Sequence, residues 1–493
     1  MQPSNSSRES SEFLDASGHG RMDRAFGKVQ SALLVGIYLV IFGIAIGIKY
    51  AYHTFDAEKS FADTSSYTAV ADLPITSPGF WSGPRPFTVP LFYKLLGVST
   101  ANYTDAAVMR RVSWVQSGLS ILAWAVLGLA LAAKARNRWL GALIFGMVLA
   151  FSLIYEISRW DLTLLSESLA FSFFALTLAG WIELLSIPVG LRRSSSAYLL
   201  LVGLIVLTIL FSFTRDVNEY IIVMGASILV VVSFFQRSRL PINLTLPYLV
   251  AVMLIFFAQT ASINIGNRWQ IFLYNRIAYR FIDTPEFVDY FSRAGMPTSP
   301  LLYKPPEMHL SAFQNMLSQD PRLDSFRQWI NLHGKPTYLG YLLAHPIMTL
   351  SEPLVNSSEI FAGTATETLY ETNNDWYRNP MHKNEYVPRW IRGLTKLMFI
   401  RLPNLGIALV YIGQVCLTAW AFIRKWNLIP WVIIGIFVIT TYPLMLLIWH
   451  GDPIEIVRHA LPVSIGFRLA TWLALAFLLD HLLVVWGRTS DLH

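Results

Sequence analysis

Apolar residues run through the chain in long blocks separated by short polar loops. Ten blocks reach the roughly 20 mostly apolar residues that a helix needs to cross a bilayer. They cover about 31–50, 113–133, 138–156, 162–186, 197–213, 220–236, 242–262, 403–423, 428–449 and 461–486. This pattern predicts an all-α polytopic membrane protein of about ten transmembrane helices. Residues 1–30 are polar and Ser-rich (SNSSRESSEF) and read as a flexible tail. The block 31–50 is too long for a signal-peptide core and lacks a small-residue cleavage site, so it reads as a retained first span.

Two long connections interrupt the blocks. The first, 51–112, holds a Pro/Gly-rich stretch (LPITSPGFWSGPRPFTVP) and an apolar segment, Val89–Val98, too short to cross and suited to an interfacial helix. The second, 263–402, carries 14 Lys/Arg against 12 Asp/Glu. Its apolar residues recur at helical spacing in Phe272–Ile282 and Tyr338–Leu350, without the alternation of strands. It reads as a small helical cap lying on the membrane. The expected organisation is a tail (1–30), an N-terminal transmembrane catalytic module (31–262), the cap (263–402) and C-terminal transmembrane helices (403–493). No internal repeat of the kind found in many transporters is visible.

Composition narrows the class. The 493 residues are 54% hydrophobic and 14% charged, where soluble domains carry about 25% charged residues. A soluble enzyme, a disordered chain and a disulfide scaffold are excluded, the last because Cys416 is the only cysteine. The net charge of +7 does not point to nucleic acid, because the basic residues follow membrane topology. The loops and tails of one side hold 14 Lys/Arg, whereas the short loops of the other hold three, Arg159, Arg215 and Arg458. By the positive-inside rule both termini are cytoplasmic and both long connections lie outside.

Candidate chemistry collects on that outer side: Asp63, Arg85, Arg159, Asp161, Glu167, Arg215, Asp216, Asp452, Glu455, Arg458 and His459, drawn from five connections or helix ends. Ionisable groups at membrane depth are costly and are candidates for function. Solvated loop charges and local ion pairs are the plain alternative. Asp63 suits a general base or a helix N-cap. As a continuous helix, Arg159-Trp160-Asp161 would open span 4 with Glu167 two turns deeper. Trp160, Thr163 and Glu167 would then share a face, making Glu167 the buried carboxylate and Asp161 the rim one. Arg215 could pair locally with Glu219 at i,i+4. Arg268, Arg276 and Arg280 sit on one amphipathic segment that could meet lipid headgroups. Arg458 suits a phosphate or a local pair with Glu455. Walker, GxGxxG and HExxH patterns are missing, and Ser166 lacks the glycines of a nucleophile elbow.

These residues together resemble the membrane-embedded C-type (GT-C) glycosyltransferases, in particular the bacterial branch of protein mannosyltransferases and aminoarabinose transferases. The likeness rests on a first span leading to a long outer loop, and on Asp63 with Tyr67 followed by Arg85-Pro86 and Pro90-Leu91-Phe92. It also rests on Leu165-Ser166-Glu167-Ser168-Leu169 and on Arg458-His459-Ala460-Leu461-Pro462. It spans the first 220 residues and the last 90. Many members carry a second acid after the first, where this chain has Thr64, so a divalent cation stays an open question.

The resemblance implies a GT-C-like fold and sugar transfer from a polyprenyl-phosphate donor to a lipid or cell-envelope glycan hydroxyl at the outer face of the plasma membrane. Asp63, Glu167 and Asp161 would be catalytic. Arg85, Arg159, Arg215, Arg458 and His459 would hold the donor phosphate, and Tyr67, Trp160 and Asp216 would position substrate. A lipid-linked sugar flippase would spread charges through the bilayer, whereas only Glu183 and Asp480 lie toward the inner ends. A polysaccharide polymerase or ligase would also show a large outer loop with arginines, and a non-enzymatic assembly subunit would carry a degenerate site.

Overall fold

The computed structural model describes residues 9–55, 58–277, 284–302, 313, 316–317, 319–363, 388–424, 426–451 and 456–490. Among the described residues every regular element is helical, and a β-bridge between Lys59 and Thr163 stands isolated. The first helix, α1 (Glu9–Phe55), begins inside the stretch read as a tail and carries the span Gln30–Thr54. Three short helices fill the first connection, α2 (Ala62–Asp72), α3 (Pro78–Ser82) and α4 (Thr88–Leu95). The bundle continues through α5 (Ala106–Ala132), α6 (Arg138–Ser152), α7 (Tyr155–Asp161) and α8 (Glu167–Ser186). Next come α9 (Ser195–Ser212), α10 (Asn218–Phe235) and α11 (Ile242–Ile265). After the second connection the chain crosses again in Asn404–Ile423, Leu428–Gly451 and Leu461–Trp486.

Among the described residues nine helices are long and apolar enough to cross a membrane, and α6 with α7 makes a tenth when that bent pair is taken as one span. The chain is an all-α, multi-pass membrane protein. Inside a bilayer helices gain little from hydrophobic association, so close packing and shared polar contacts hold them together. Gly225 of α10 shows the first device: a Cβ there would fall 2.3 Å from the Trp181 ring of α8. The second is a polar bridge across three helices, in which the Trp181 indole donates to Tyr248 Oη at 2.9 Å and that oxygen meets Thr208 Oγ1 at 2.8 Å.

The blocks 138–156 and 162–186 differ from the observed elements in a way that shapes the site. The chain leaves α6 at Ser152 and turns by 61° into α7. No Pro or Gly lies at the turn; side chains take over the last carbonyls of α6. Lys49 Nζ donates to the Ser152 carbonyl at 3.3 Å, Ser158 Oγ donates to it at 3.0 Å, and Tyr52 Oη donates to the Leu153 carbonyl at 2.6 Å. Residues 162–166 then form a non-helical link, because the Lys59 backbone exchanges bonds with it: Lys59 N donates to Leu162 O and Leu164 N to Lys59 O, both at 2.9 Å.

The segment Val89–Val98, expected as an interfacial helix, forms α4 with Val89, Tyr93 and Val98 buried. Lys94 Nζ caps the end of α2 by donating to the carbonyls of Ala71 and Leu73 at 2.8 and 2.9 Å. The described residues of the second connection form short helices with an apolar core of their own, including Leu273, Phe287, Phe291, Phe326, Trp329 and Tyr341. Its helix Pro346–Val355 packs against the span Leu428–Gly451, and Tyr338 of the helix Lys335–Ala344 bonds to His450 at the end of that span.

Candidate functional site

Asp63 stands in the first turn of α2, but it does not cap the helix. Phe61 is the N-cap, and Thr64 does the capping: the Phe61 N–H donates to Thr64 Oγ1 at 2.9 Å and the Thr64 N–H to Phe61 O at 2.9 Å. Thr64 Oγ1 also donates to Leu164 O at 2.7 Å, tying α2 to the link before α8. Thr64 is thus a buried structural contact.

Beside the inward Thr64, Asp63, Ser66 and Tyr67 share one face of α2 at i, i+3 and i+4. That face grips Arg85. Arg85 Nη2 donates to Asp63 Oδ1 at 2.6 Å, its Nε donates to Ser66 Oγ at 2.7 Å, and the guanidinium sits 4.8 Å from the Tyr67 ring.

Glu167 is the first residue of α8, placed there by the break after α7, and it is completely buried. Its Oε1 accepts from Arg458 Nε at 2.6 Å and from Arg215 Nη1 at 3.2 Å. Arg458 comes from the short helix Ile456–His459 ahead of the last span, and its Nη1 also reaches Asp63 Oδ2 at 3.4 Å. Arg215 lies in the turn between α9 and α10, held by Asn218 Nδ2 donating to Thr214 Oγ1 at 2.8 Å and to Phe211 O at 3.1 Å. Its Nη2 donates to His459 Nδ1 at 2.8 Å. A guanidinium has no acceptor, so His459 accepts on Nδ1 and carries its proton on Nε2. The Trp160 ring flanks the group, with the Arg458 guanidinium at 5.9 Å and that of Arg159 at 4.8 Å.

Side-chain exposure falls from 39% at Asp63 through 28% at Arg85, 11% at Arg458 and 8% at Arg215 to zero at Glu167. The cluster thus has a mouth and a floor, each marked by a carboxylate. Burial by itself raises the Asp63 pKa, but Arg85 and then Arg458 outweigh it and hold the carboxyl well below the usual carboxylate range. Burial, then Arg215 and Arg458, push the His459 imidazole well below its ordinary value and keep it neutral. Tyr93 lies near Tyr67 and Glu167, and burial followed by those two neighbours pushes its phenol well up.

Two candidates lie elsewhere. Asp161 is buried rather than at a rim: it pairs with Lys49 at 2.5 Å and accepts from Ser168 Oγ at 2.6 Å. The turn between α7 and α8 undoes the continuous-helix geometry that set Asp161 outward and Glu167 two turns deeper. Asp216 accepts from Arg268 Nε at 2.9 Å and Nη2 at 3.0 Å, and from Gln259 Nε2 at 3.2 Å. Arg268 is therefore buried in a bidentate pair, not spread on headgroups. It also donates to the Gly83 carbonyl at 2.9 Å, where a Cβ on Gly266 would fall 2.4 Å from the same oxygen. Arg215, in a turn and not on a helix, pairs across the bundle with Glu167 instead of locally with Glu219. Arg276 is buried and donates to the Trp449 carbonyl. Asp452, Glu455 and Arg280 lie outside the described residues.

Lys49, Ser66 and Ser168 were not singled out by sequence reasoning. A lysine inside the first apolar block was the available signal, since a buried cation demands a partner. Among the described residues no three His, Cys, Asp or Glu side chains gather to hold a metal ion. The two carboxylates here face three guanidiniums, surroundings that repel a divalent cation.

No family model matches the chain. No curated protein matches it. Among solved structures it is similar to the archaeal oligosaccharyltransferase AglB from Archaeoglobus fulgidus in complex with an inhibitory peptide and a dolichol-phosphate. The TM-score is 0.47 at 9% sequence identity, over 92% of this chain and 52% of that one. The chain spans about half the length of that structure.

Proposed function

We propose that the chain is a GT-C type glycosyltransferase that moves a sugar from a polyprenyl-phosphate donor to a hydroxyl on a lipid or cell-envelope glycan. The reading places the site on the outer face of a plasma membrane with both termini cytoplasmic, as the Lys/Arg asymmetry of the loops favours. The observation that carries it is the charge balance of the hydrogen-bonded cluster: Arg85, Arg215 and Arg458 against Asp63 and Glu167 leave one positive charge, with His459 neutral and Arg159 set apart against the Trp160 ring. A phosphodiester sugar donor brings one negative charge to that place, while its tail stays in the bilayer.

In the proposed reaction the acceptor hydroxyl oxygen attacks the anomeric carbon and its proton passes to Asp63. The bond from that carbon to the phosphate oxygen breaks, and its electron pair leaves with polyprenyl phosphate. A single displacement inverts the anomeric centre. The leaving phosphate gains a second negative charge, which the three guanidiniums stabilise. Arg458 and Arg85 depress the basicity of Asp63 in the resting site. Drawn toward a bound phosphate, they release that carboxylate to take a proton. Glu167 acts through the arginines as a positioning residue, and Asp161 with Lys49 fixes the link before α8.

The test uses purified protein, a panel of labelled polyprenyl-phosphate sugars, and release of free polyprenyl phosphate as the readout. One donor is expected to turn over. Asp63→Asn is expected to abolish release with donor binding retained, and Arg458→Ala to weaken binding as well. Wild-type turnover by Asp63→Asn would remove Asp63 from the mechanism.

A further inference from the structure

The second connection presents an apolar face that its own core does not use. The helices Lys335–Ala344 and Pro346–Val355 form a hairpin whose outward residues are Leu339, Leu343, Ile347, Leu350, Leu354 and Val355, with Leu343 81% and Ile347 84% exposed. These recur at helical spacing and so make one stripe on each helix. From Pro336 to Val355 the only Asp, Glu, Lys or Arg is Glu352. It is turned inward, accepting from the Trp449 indole at 2.8 Å. A stripe of this extent in water is an aggregation hazard or an interaction surface.

Its contacts say which. Tyr338 Oη donates to His450 O at 2.6 Å, and His450 Nε2 meets Thr349 O at 2.8 Å. Asn404, the first residue of the next span, donates to Val355 O. Tyr442 Oη donates to Leu350 O at 2.8 Å. Tyr442 stands nine residues before Gly451, about 13 Å down the helix axis at about 1.5 Å per residue. The hairpin therefore lies beside the outermost turns of a membrane span, not above them. Its stripe also adjoins spans whose own outward side is apolar, with Ile439 and Leu447 on one and Leu405 and Leu409 on the other exposed. The helix Arg389–Met398, which leads into the span Asn404–Ile423, exposes Arg389 and Lys396 beside Trp390 and Leu397, the pattern of a helix at headgroup level.

We infer that the hairpin 335–355 is immersed in the acyl chains of one leaflet, as a membrane-embedded element that does not cross. Its occupant is lipid, by continuity with the lipid-facing surface of the spans it touches. The inference does not depend on the glycosyl-transfer reading.

The test is made on the full chain with Cys416→Ser as background. Single substitutions Leu343→Cys and Ile347→Cys are labelled with an environment-sensitive fluorophore, with Arg322→Cys on an exposed turn as the aqueous control. Each is reconstituted in phosphatidylcholine nanodiscs with or without acyl-brominated lipid. The labels at 343 and 347 are expected to lose most of their emission to brominated lipid and little to iodide, and the label at 322 the reverse. Iodide quenching at 343 and 347 equal to that at 322 would overturn the inference. Protection from both quenchers, in particles holding two copies of the chain, would assign the stripe to a second copy and overturn it equally.

Discussion

Replacing Glu167 by Gln removes the carboxylate on which two arginines converge. In the native chain its Oε1 accepts from Arg458 at 2.6 Å and from Arg215 at 3.2 Å with no exposure to solvent. Hydrogen bonds to charged groups contribute about 1.5–3 kcal/mol each, and breaking a buried ion pair costs about 3–5 kcal/mol because the partner charge is left uncompensated. A glutamine keeps one acceptor oxygen for both guanidiniums and sets its amide nitrogen where Oε2 meets Ser166 Oγ, but it removes the negative charge that balanced them. The loss expected for Glu167→Gln is therefore about 3 kcal/mol or more.

The same substitution raises the net charge of the cluster from +1 to +2, so an anion bound there should recover more stability in the variant than in the wild type. The assay is heat denaturation in detergent, followed by tryptophan emission, with and without polyprenyl phosphate. The expected result is a lower midpoint for Glu167→Gln and a larger upward shift on adding the phosphate. A variant that melts with the wild type and gains no extra protection would refute the reasoning, because the arginines would then be held without Glu167.

Arg85→Ala removes the closest partner of Asp63, so the folded pKa of Asp63 should rise. The acid limb of the pH–rate profile should then move to higher pH, which a profile of donor release checks. A depressed carboxylate stabilises the fold above its unfolded pKa of about 3.9 and loses that contribution as pH falls, so Arg85→Ala should also flatten acid unfolding. Lys49→Met and Asp161→Asn should each cost about 3–5 kcal/mol as broken buried pairs, and the pair of changes together less than the sum, as a double-mutant cycle of unfolding would measure. Gly225→Val drives a side chain into the Trp181 ring and should destabilise by about 1–3 kcal/mol, read as a lower melting midpoint.

The membrane-spanning fold was legible because span length and apolarity are local properties of the chain. Apart from the early starts of α1 and α5, every block outside 138–186 coincides with a helix to within a few residues at each end. The exception is instructive: residues 152–167 contain no Pro or Gly to mark a break. The break comes from Lys49, Tyr52 and Lys59, about 100 residues earlier in the chain. The same distance hid the pairings. Asp161, Asp216 and Glu167 are similar in sequence as acids near helix ends, yet each takes a different cation: Lys49, Arg268, and Arg458 with Arg215. Positions at one end of the bundle could be read from topology, whereas partners are chosen by which helices neighbour one another.

The two carboxylates that share Arg458 are not equivalent, and the difference bears on how the proposed reaction would begin. Glu167 holds Nε at 2.6 Å on a dry floor, while Asp63 holds Nη1 at 3.4 Å at a mouth open to solvent. Charge-assisted bonds weaken as they lengthen and as water screens them. A phosphate arriving at the mouth would meet the more exposed Arg85 and then the outer arm of Arg458, at its weaker contact, and would leave the inner arm on Glu167. Arg458 would then stay in register while Asp63 loses one of the two cations that suppress its basicity. On this reasoning the buried acid holds the arginines ready and the exposed acid is the one released to act.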